Sequence, residues 1–253
     1  GRPPRQPGLP DGVPDLHAGR PSHIGPRHPG PPVSLPGRFI TLEGGEAAGK
    51  STQIARLAAR LKGLGLEVLE LREPGGTPLG EKIRHLLKHD PDGRGMAPET
   101  ELLLMNASRA ELVRQRILPA LRAGTVVLCD RFHDSTVAYQ GHGRGLDLAA
   151  VDSVIRLAVG DLRPDRTLWL EVTPGVAKAR LAGRKAAQVA SGTAEPADRF
   201  DEEQEAFFAR VARGFRQGLE AEPDRWRRVD AGGSVAEVEE AVWSAVRDLF
   251  AVG

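Results

Sequence analysis

The sequence predicts a three-layer α/β fold in which a parallel sheet of about five strands is flanked by helices. Three observations predict it. Short apolar runs alternate with stretches whose apolar residues follow helical spacing, and strands joined through helices pair in parallel with helices on both faces. A glycine-rich loop separates the first apolar run from the first helical stretch. Candidate functional residues fall at the carboxyl ends of the runs, where open α/β sheets bind their ligands.

The elements follow in chain order. Gly1 to Gly37 hold 11 of the 20 prolines and show no apolar periodicity. Such a segment buries too little surface to offset the entropy of ordering, so it is predicted to be a disordered, dispensable leader. It also lacks the apolar run of a secretory signal. From Arg38 onward one domain is expected. Phe39 to Glu43 is the first strand. Thr52 to Gly63 is a helix on the spacing of Ile54, Leu57, Ala58 and Leu61, with Gly63 and Gly65 as stops. Val68 to Leu71 is a second strand, Thr100 to Arg122 a long helix, Thr125 to Cys129 a third strand, Thr167 to Val172 a fourth, and Arg227 to Asp230 a weak fifth. Val235, Val238, Val242, Val246 and Leu249 line one face of a closing helix.

Composition narrows the function. A formal net charge of +1 and 4% aromatic residues give no basis for nucleic-acid binding. No stretch reaches the roughly 18 apolar residues of a membrane span. The single cysteine, Cys129, has no internal disulfide partner, which fits the cytoplasm.

Gly44-Gly45-Glu46-Ala47-Ala48-Gly49-Lys50-Ser51 fits the G-x-x-x-x-G-K-[ST] phosphate loop between a predicted strand and a predicted helix. Its backbone N–H groups cradle phosphate oxygens, and the helix start adds partial positive charge. Lys50 reaches the β- and γ-phosphates, Ser51 holds Mg²⁺, and Thr52 completes the ATP-binding set. A P-loop NTPase fold follows, but not a choice among kinase, GTPase and motor. A GTPase needs Asn-Lys-x-Asp, and the one asparagine, Asn106, is followed by Ala107. A regulatory nucleotide-binding module without turnover stays open. Asp130-Arg131, at the end of the third strand, suits a carboxylate acting on Mg²⁺ through water beside a guanidinium fork for phosphate.

These blocks together resemble bacterial thymidylate kinase. The resemblance covers Arg38 to the C-terminus and rests on the phosphate loop, Arg72 to Thr77, the helix segment ending at Arg109, and Asp130 to Gly145. It implies a homodimeric enzyme that moves the γ-phosphoryl of ATP to dTMP, giving dTDP for dTTP synthesis, with Mg²⁺ as cofactor. Glu46 matches a carboxylate facing the acceptor deoxyribose, and Glu73 and Pro74 the loop lining the acceptor cleft. Arg109 and Arg131 match the pair holding the dTMP phosphate. Ser135, Thr136, Tyr139 and Gln140 match the segment against thymine and sugar, and Asp130 the acid near Mg²⁺. Met105 stands where family members carry a phenylalanine stacked on thymine; a thioether can cover a ring face as well. Ala47 stands where some members carry a loop arginine. Catalytic positive charge is therefore expected from a lid at about 180–201: Arg199 first, Arg184 second, and Arg180 toward ATP. An insertion from Ala186 to Ala197 is expected to be a mobile loop. Another nucleoside monophosphate as acceptor is the alternative within this class.

Overall fold

The structure is a computed structural model that describes residues 35–191, 200 and 203–250; the side chains of 189 and 190 are outside it too. Five parallel strands, β1 (Phe39–Glu43), β2 (Val68–Arg72), β3 (Val126–Asp130), β4 (Arg166–Glu171) and β5 (Trp226–Asp230), lie in the order β2-β3-β1-β4-β5. The predicted three layers are present. In β1 and β3, side chains alternate between two cores, as the two-residue pleat period requires. Ile40, Leu42, Val126 and Leu128 pack toward α1 (Lys50–Gly63) and α9 (Val235–Val246). Phe39, Val127 and Cys129 pack on the other side with Leu112 and Ile117, and with Val151 and Ile155 of α6 (Leu148–Val159). A third cluster joins Tyr139, Trp169, Phe200, Phe207, Phe215 and Trp226, around α8 (Glu205–Ala221).

Several boundaries move. The third strand shifts by one residue, so that Asp130 is its last member and pairs with Leu42 and Arg72. α1 starts at Lys50, directly after Gly49 at φ 90°. The predicted long helix is three segments: α3 (Pro98–Leu112), a π-type turn at Val113–Ile117 and α4 (Leu118–Arg122). Pro119 explains the break, since it has no N–H for the preceding turn. The chain also forms α2 (Pro78–Lys88), α5 (His133–Thr136), a π-type turn at Val137–Gly143 and α7 (Pro174–Ala190), besides α6 and α8. α7 corrects the expected loop: Ala186 to Ala190 are helical, in keeping with the high helix propensity of the Ala-rich stretch. The rest of that insertion and Arg199 lie outside the described residues, as does most of the leader.

The leader boundary moves as well. Leu35 packs against the second core, and the Gly37 N–H donates to the Leu121 carbonyl at 2.9 Å. A Cβ on Gly37 would stand 2.3 Å from the Thr125 carbonyl oxygen, so this contact needs glycine. Residues 35–37 therefore belong to the folded domain.

Candidate functional site

The parallel register brings the carboxyl ends of β1, β2 and β3 to one edge, and the functional side chains stand there. After β1 the phosphate loop turns through Gly44 (φ 139°) and Ala47 (φ 54°) into Gly49. The first turn of α1 has no side-chain cap, so its N–H groups face the cleft as an anion site. Lys50 Nζ donates to the carbonyls of Gly45 at 2.9 Å and Gly44 at 3.3 Å, and lies 4.0 Å from Asp130 Oδ1. Burial, then the Arg131 charge, lowers its pKa, with Asp130 and Glu46 opposing. Ser51 Oγ donates to Asp130 Oδ2 at 2.9 Å. A cavity of about 890 Å³ opens over this loop, and Arg180 and Arg184 of α7 line its far side. Thr52 lines it too.

The segment after β2 is held residue by residue. Arg72 pairs with Glu81 at 2.9 Å, and the Pro74 carbonyl accepts from Arg84 at 3.0 Å. The Gly75 N–H donates to Ser108 Oγ at 3.0 Å, and Gly76 donates to Glu81 at 2.7 Å. Thr77 caps α2. Gly76 at φ 79° would bring a Cβ within 2.6 Å of Leu112, so both its conformation and its space demand glycine. These bonds set Glu73 into the cleft wall. Glu73 is buried and accepts from Arg109, Nε at 2.9 Å and Nη2 at 2.7 Å. Burial pushes its carboxyl up against the pull of Arg109.

Arg109 lines the acceptor-side cavity and is held there by the protein itself. Every guanidinium nitrogen already has a protein acceptor: Glu73 for Nε, Asn106 and Thr136 for Nη1, the Phe132 carbonyl for Nη2. With 2% exposure it forms the floor of the cleft. Arg131 lines the same cavity and is in the left-handed region at φ 71°, a conformation costing a non-glycine residue about 1 kcal/mol. Its N–H donates to the Leu42 carbonyl, and its Nη1 to Gly44 O at 2.8 Å and to Ser135 Oγ at 3.1 Å. Its Nη2 meets Glu46 at 2.9 Å, and the guanidinium lies 4.9 Å from the Tyr139 ring centre. Burial alone would raise the Glu46 carboxyl, but Arg131 and Lys50 hold it at about 2.

Glu46, Glu73, Lys88 and Arg131 line both the large cavity and a smaller one of about 40 Å³, so the two abut. The smaller cavity is walled by Pro74, Met105, Arg109, Ser135, Thr136, Tyr139, Gln140 and Phe200. The structure thus brings together the predicted donor-side and acceptor-side residues at one junction; Arg199 lies outside the described residues.

Four participants were not picked out from sequence: Glu43, Glu101, Lys88 and Phe200. Glu43 has no exposure and accepts from the Phe132 N–H at 2.8 Å and from the Ser135 hydroxyl at 2.5 Å. Burial, then the Asp134 charge, pushes its pKa up to about 8, opposed by Ser135 and Arg131. Glu101 carried a signal: with Met105 and Arg109 it falls at i, i+4, i+8 on one helix face.

His133, beside this wall, gives a pH prediction. It is buried, its Nε2 has no hydrogen-bond partner among the described residues, and burial lowers its pKa from 6.5 to about 4 against the pull of Asp134. Above 6.5 it is neutral folded or unfolded. As pH falls from 6.5 to 4 only the unfolded chain takes the proton, so stability is lost in that window, by about 3 kcal/mol. Denaturant midpoints between pH 7 and 4 should fall steeply for the wild type and less steeply for His133→Phe. Equal slopes would refute the assignment.

Comparison with known proteins agrees with this geometry. A family model described as thymidylate kinase matches residues 42–242. A thymidylate kinase of Synechococcus sp. (strain JA-3-3Ab) is 48% identical over 211 residues, 83% of this chain and 95% of the relative. One of Thermomicrobium roseum is 49% identical over 215 residues, covering 85% and 97%. The crystal structure of thymidylate kinase from Ehrlichia chaffeensis superposes with a TM-score of 0.65 at 30% identity, over 83% of this chain and 98% of that one. A phosphate loop and a second cavity meeting at Glu46 and Arg131 are thus set in a sequence nearly half identical to these relatives, and the chain belongs to the thymidylate kinase family.

Proposed function

We propose that this protein transfers the γ-phosphoryl group of ATP to dTMP, giving ADP and dTDP. One observation carries the reading: Glu46 and Arg131 line both cavities, so donor and acceptor phosphates meet at one place. There is little covalent chemistry in such a transfer, and the work is positioning and charge neutralisation. The α1 N-terminus and Lys50 take the donor phosphates. Arg131 turns toward the acceptor phosphate, oriented by Glu46, Ser135 and the Gly44 carbonyl. Arg109 fixes Thr136 and Glu73 as the cleft floor. Met105 and Tyr139 offer the apolar walls, and the 40 Å³ space between them must widen to admit a base. Arg184 and Arg180 face the donor phosphates from α7, with Arg199 a further source of charge.

Mg²⁺ fits the oxygen chemistry of Ser51 and Asp130, 2.9 Å apart beside the loop. Such an ion is held by few protein ligands, shares phosphate oxygens and keeps several waters. Ser51 would hold it directly and Asp130 through water; when bound it neutralises phosphate charge.

ADP release should run at about 1–100 s⁻¹ with dTMP, more slowly with dUMP, and little above background with CMP, GMP or AMP. No dTDP from ATP, Mg²⁺ and dTMP would end the proposal. ATP and dTMP are cytoplasmic metabolites, and the proposal puts the reaction there. Residues 1–34 act as a dispensable leader to the kinase domain in this reading.

A homodimer is part of the same reading. Leu103 on α3 and Leu157 on α6 are 58% and 83% exposed, and large apolar side chains on packed neighbouring helices support an interface there. Leu157→Asp should convert a dimer to a monomer in light scattering with an unchanged circular dichroism spectrum; a wild-type monomer would dismiss the idea.

A further inference from the structure

Glu101 stands on α3 behind the acceptor-side cavity and has no exposed surface. Its Oε1 accepts from Gln140 Nε2 at 2.7 Å. Arg144 clamps the same carboxylate, Nε to Oε1 at 3.2 Å and Nη2 to Oε2 at 3.0 Å. That fork sets a guanidinium directly opposite the fully buried carboxyl group. Gln140, 2% exposed, lines the cavity.

A carboxylate only accepts hydrogen bonds, whereas a side-chain amide has a donor end and an acceptor end. Glu101 therefore decides which way the Gln140 amide points. The amino end must face Glu101. A flipped amide would set its oxygen against a carboxylate in a water-excluded place and forfeit a charge-assisted bond. The carbonyl end has no hydrogen-bond partner among the described residues.

We infer that Glu101 is a specificity-determining positioning residue: by engaging the Gln140 amino group it leaves the carbonyl as the acceptor on the cavity wall. That wall selects an acceptor base that carries a ring N–H. Thymine and uracil have this donor at N3, while cytosine has a lone pair there, which would face an oxygen. The inference rests on the cavity being the site of the phosphoryl acceptor.

The test compares kcat/KM for dTMP, dUMP and dCMP in the wild type and in Glu101→Gln, an isosteric change that can present either end to Gln140. The dTMP to dCMP ratio should fall about 10- to 100-fold, because the lock on a discriminating hydrogen bond is released, while KM for ATP stays unchanged. A merely structural role would lower all three acceptors by one common factor and leave the ratio intact; that result in a folded variant overturns the inference. Where Glu101→Gln does not fold, Glu101→Asp carries the same comparison, since it keeps the charge opposite Arg144 but withdraws the carboxylate from Gln140. A ratio unmoved in Glu101→Asp likewise overturns it. A wild type inactive on dTMP would instead defeat the proposed function, which separates the two failures.

Discussion

Lys50→Ala should lower kcat by about 10²–10³-fold or more and shift the melting temperature by only a few degrees. Lys50 is 7% exposed, and burial lowers its pKa, so holding its charge there costs the fold stability. Its partners are two loop carbonyls and a carboxylate 4.0 Å away. The loop itself is shaped by backbone, with Gly44, Ala47 and Gly49 at positive φ. Losing the ammonium thus leaves carbonyls that water can reach through the open cavity, while removing charge where the transferring phosphoryl needs it. Steady-state kinetics with calorimetric melting would check both halves. An intact kcat would mean that Lys50 is not at the donor phosphates, and a collapsed fold would mean that its role is structural.

Arg109→Ala should fail in the opposite way. The resemblance groups Arg109 with Arg131 as phosphate holders, which would make their alanine variants alike. Their surroundings differ. Arg109 and Glu73 expose 2% and 4% of their side chains and face each other at 2.7 Å. Breaking a buried pair from one side costs about 3–5 kcal/mol, because the partner is left charged and alone. For a domain of this size that lowers the melting temperature by roughly 6–20 °C. Asn106 and Thr136 would lose a partner as well. Arg131 and Glu46 are more exposed, at 15% and 24%, so Arg131→Ala should melt within a few degrees of wild type and lose acceptor binding instead. A double variant, Arg109→Leu with Glu73→Leu, should recover much of the stability and none of the activity. Equal melting temperatures for Arg109→Ala and Arg131→Ala would show that the buried pair is not holding the cleft.

The sequence by itself determined the layered α/β class, the five strands within a residue or two, and the phosphate loop. Each rests on local chemistry. Short continuous apolar runs over Phe39 to Glu43 and Thr125 to Cys129 report two-sided burial, and Gly-Lys-Ser at the mouth of a helix reports backbone that must curl round phosphate. The family resemblance also placed Glu46, Glu73, Arg131 and Gln140 among the candidates, and the structure sets all four on the smaller cavity. Only the tertiary structure decided how those side chains are divided. That Arg109 is spent on Glu73, Asn106 and Thr136, that Glu43 anchors Ser135, and that Glu101 holds Gln140 are contacts between residues 27 to 92 positions apart, save Arg109 to Asn106 at three. Spacing along a chain carries no record of such pairs. The strand order β2-β3-β1-β4-β5 creates them by setting three strand ends side by side, and burial then forces each charged group there to find the one partner within reach.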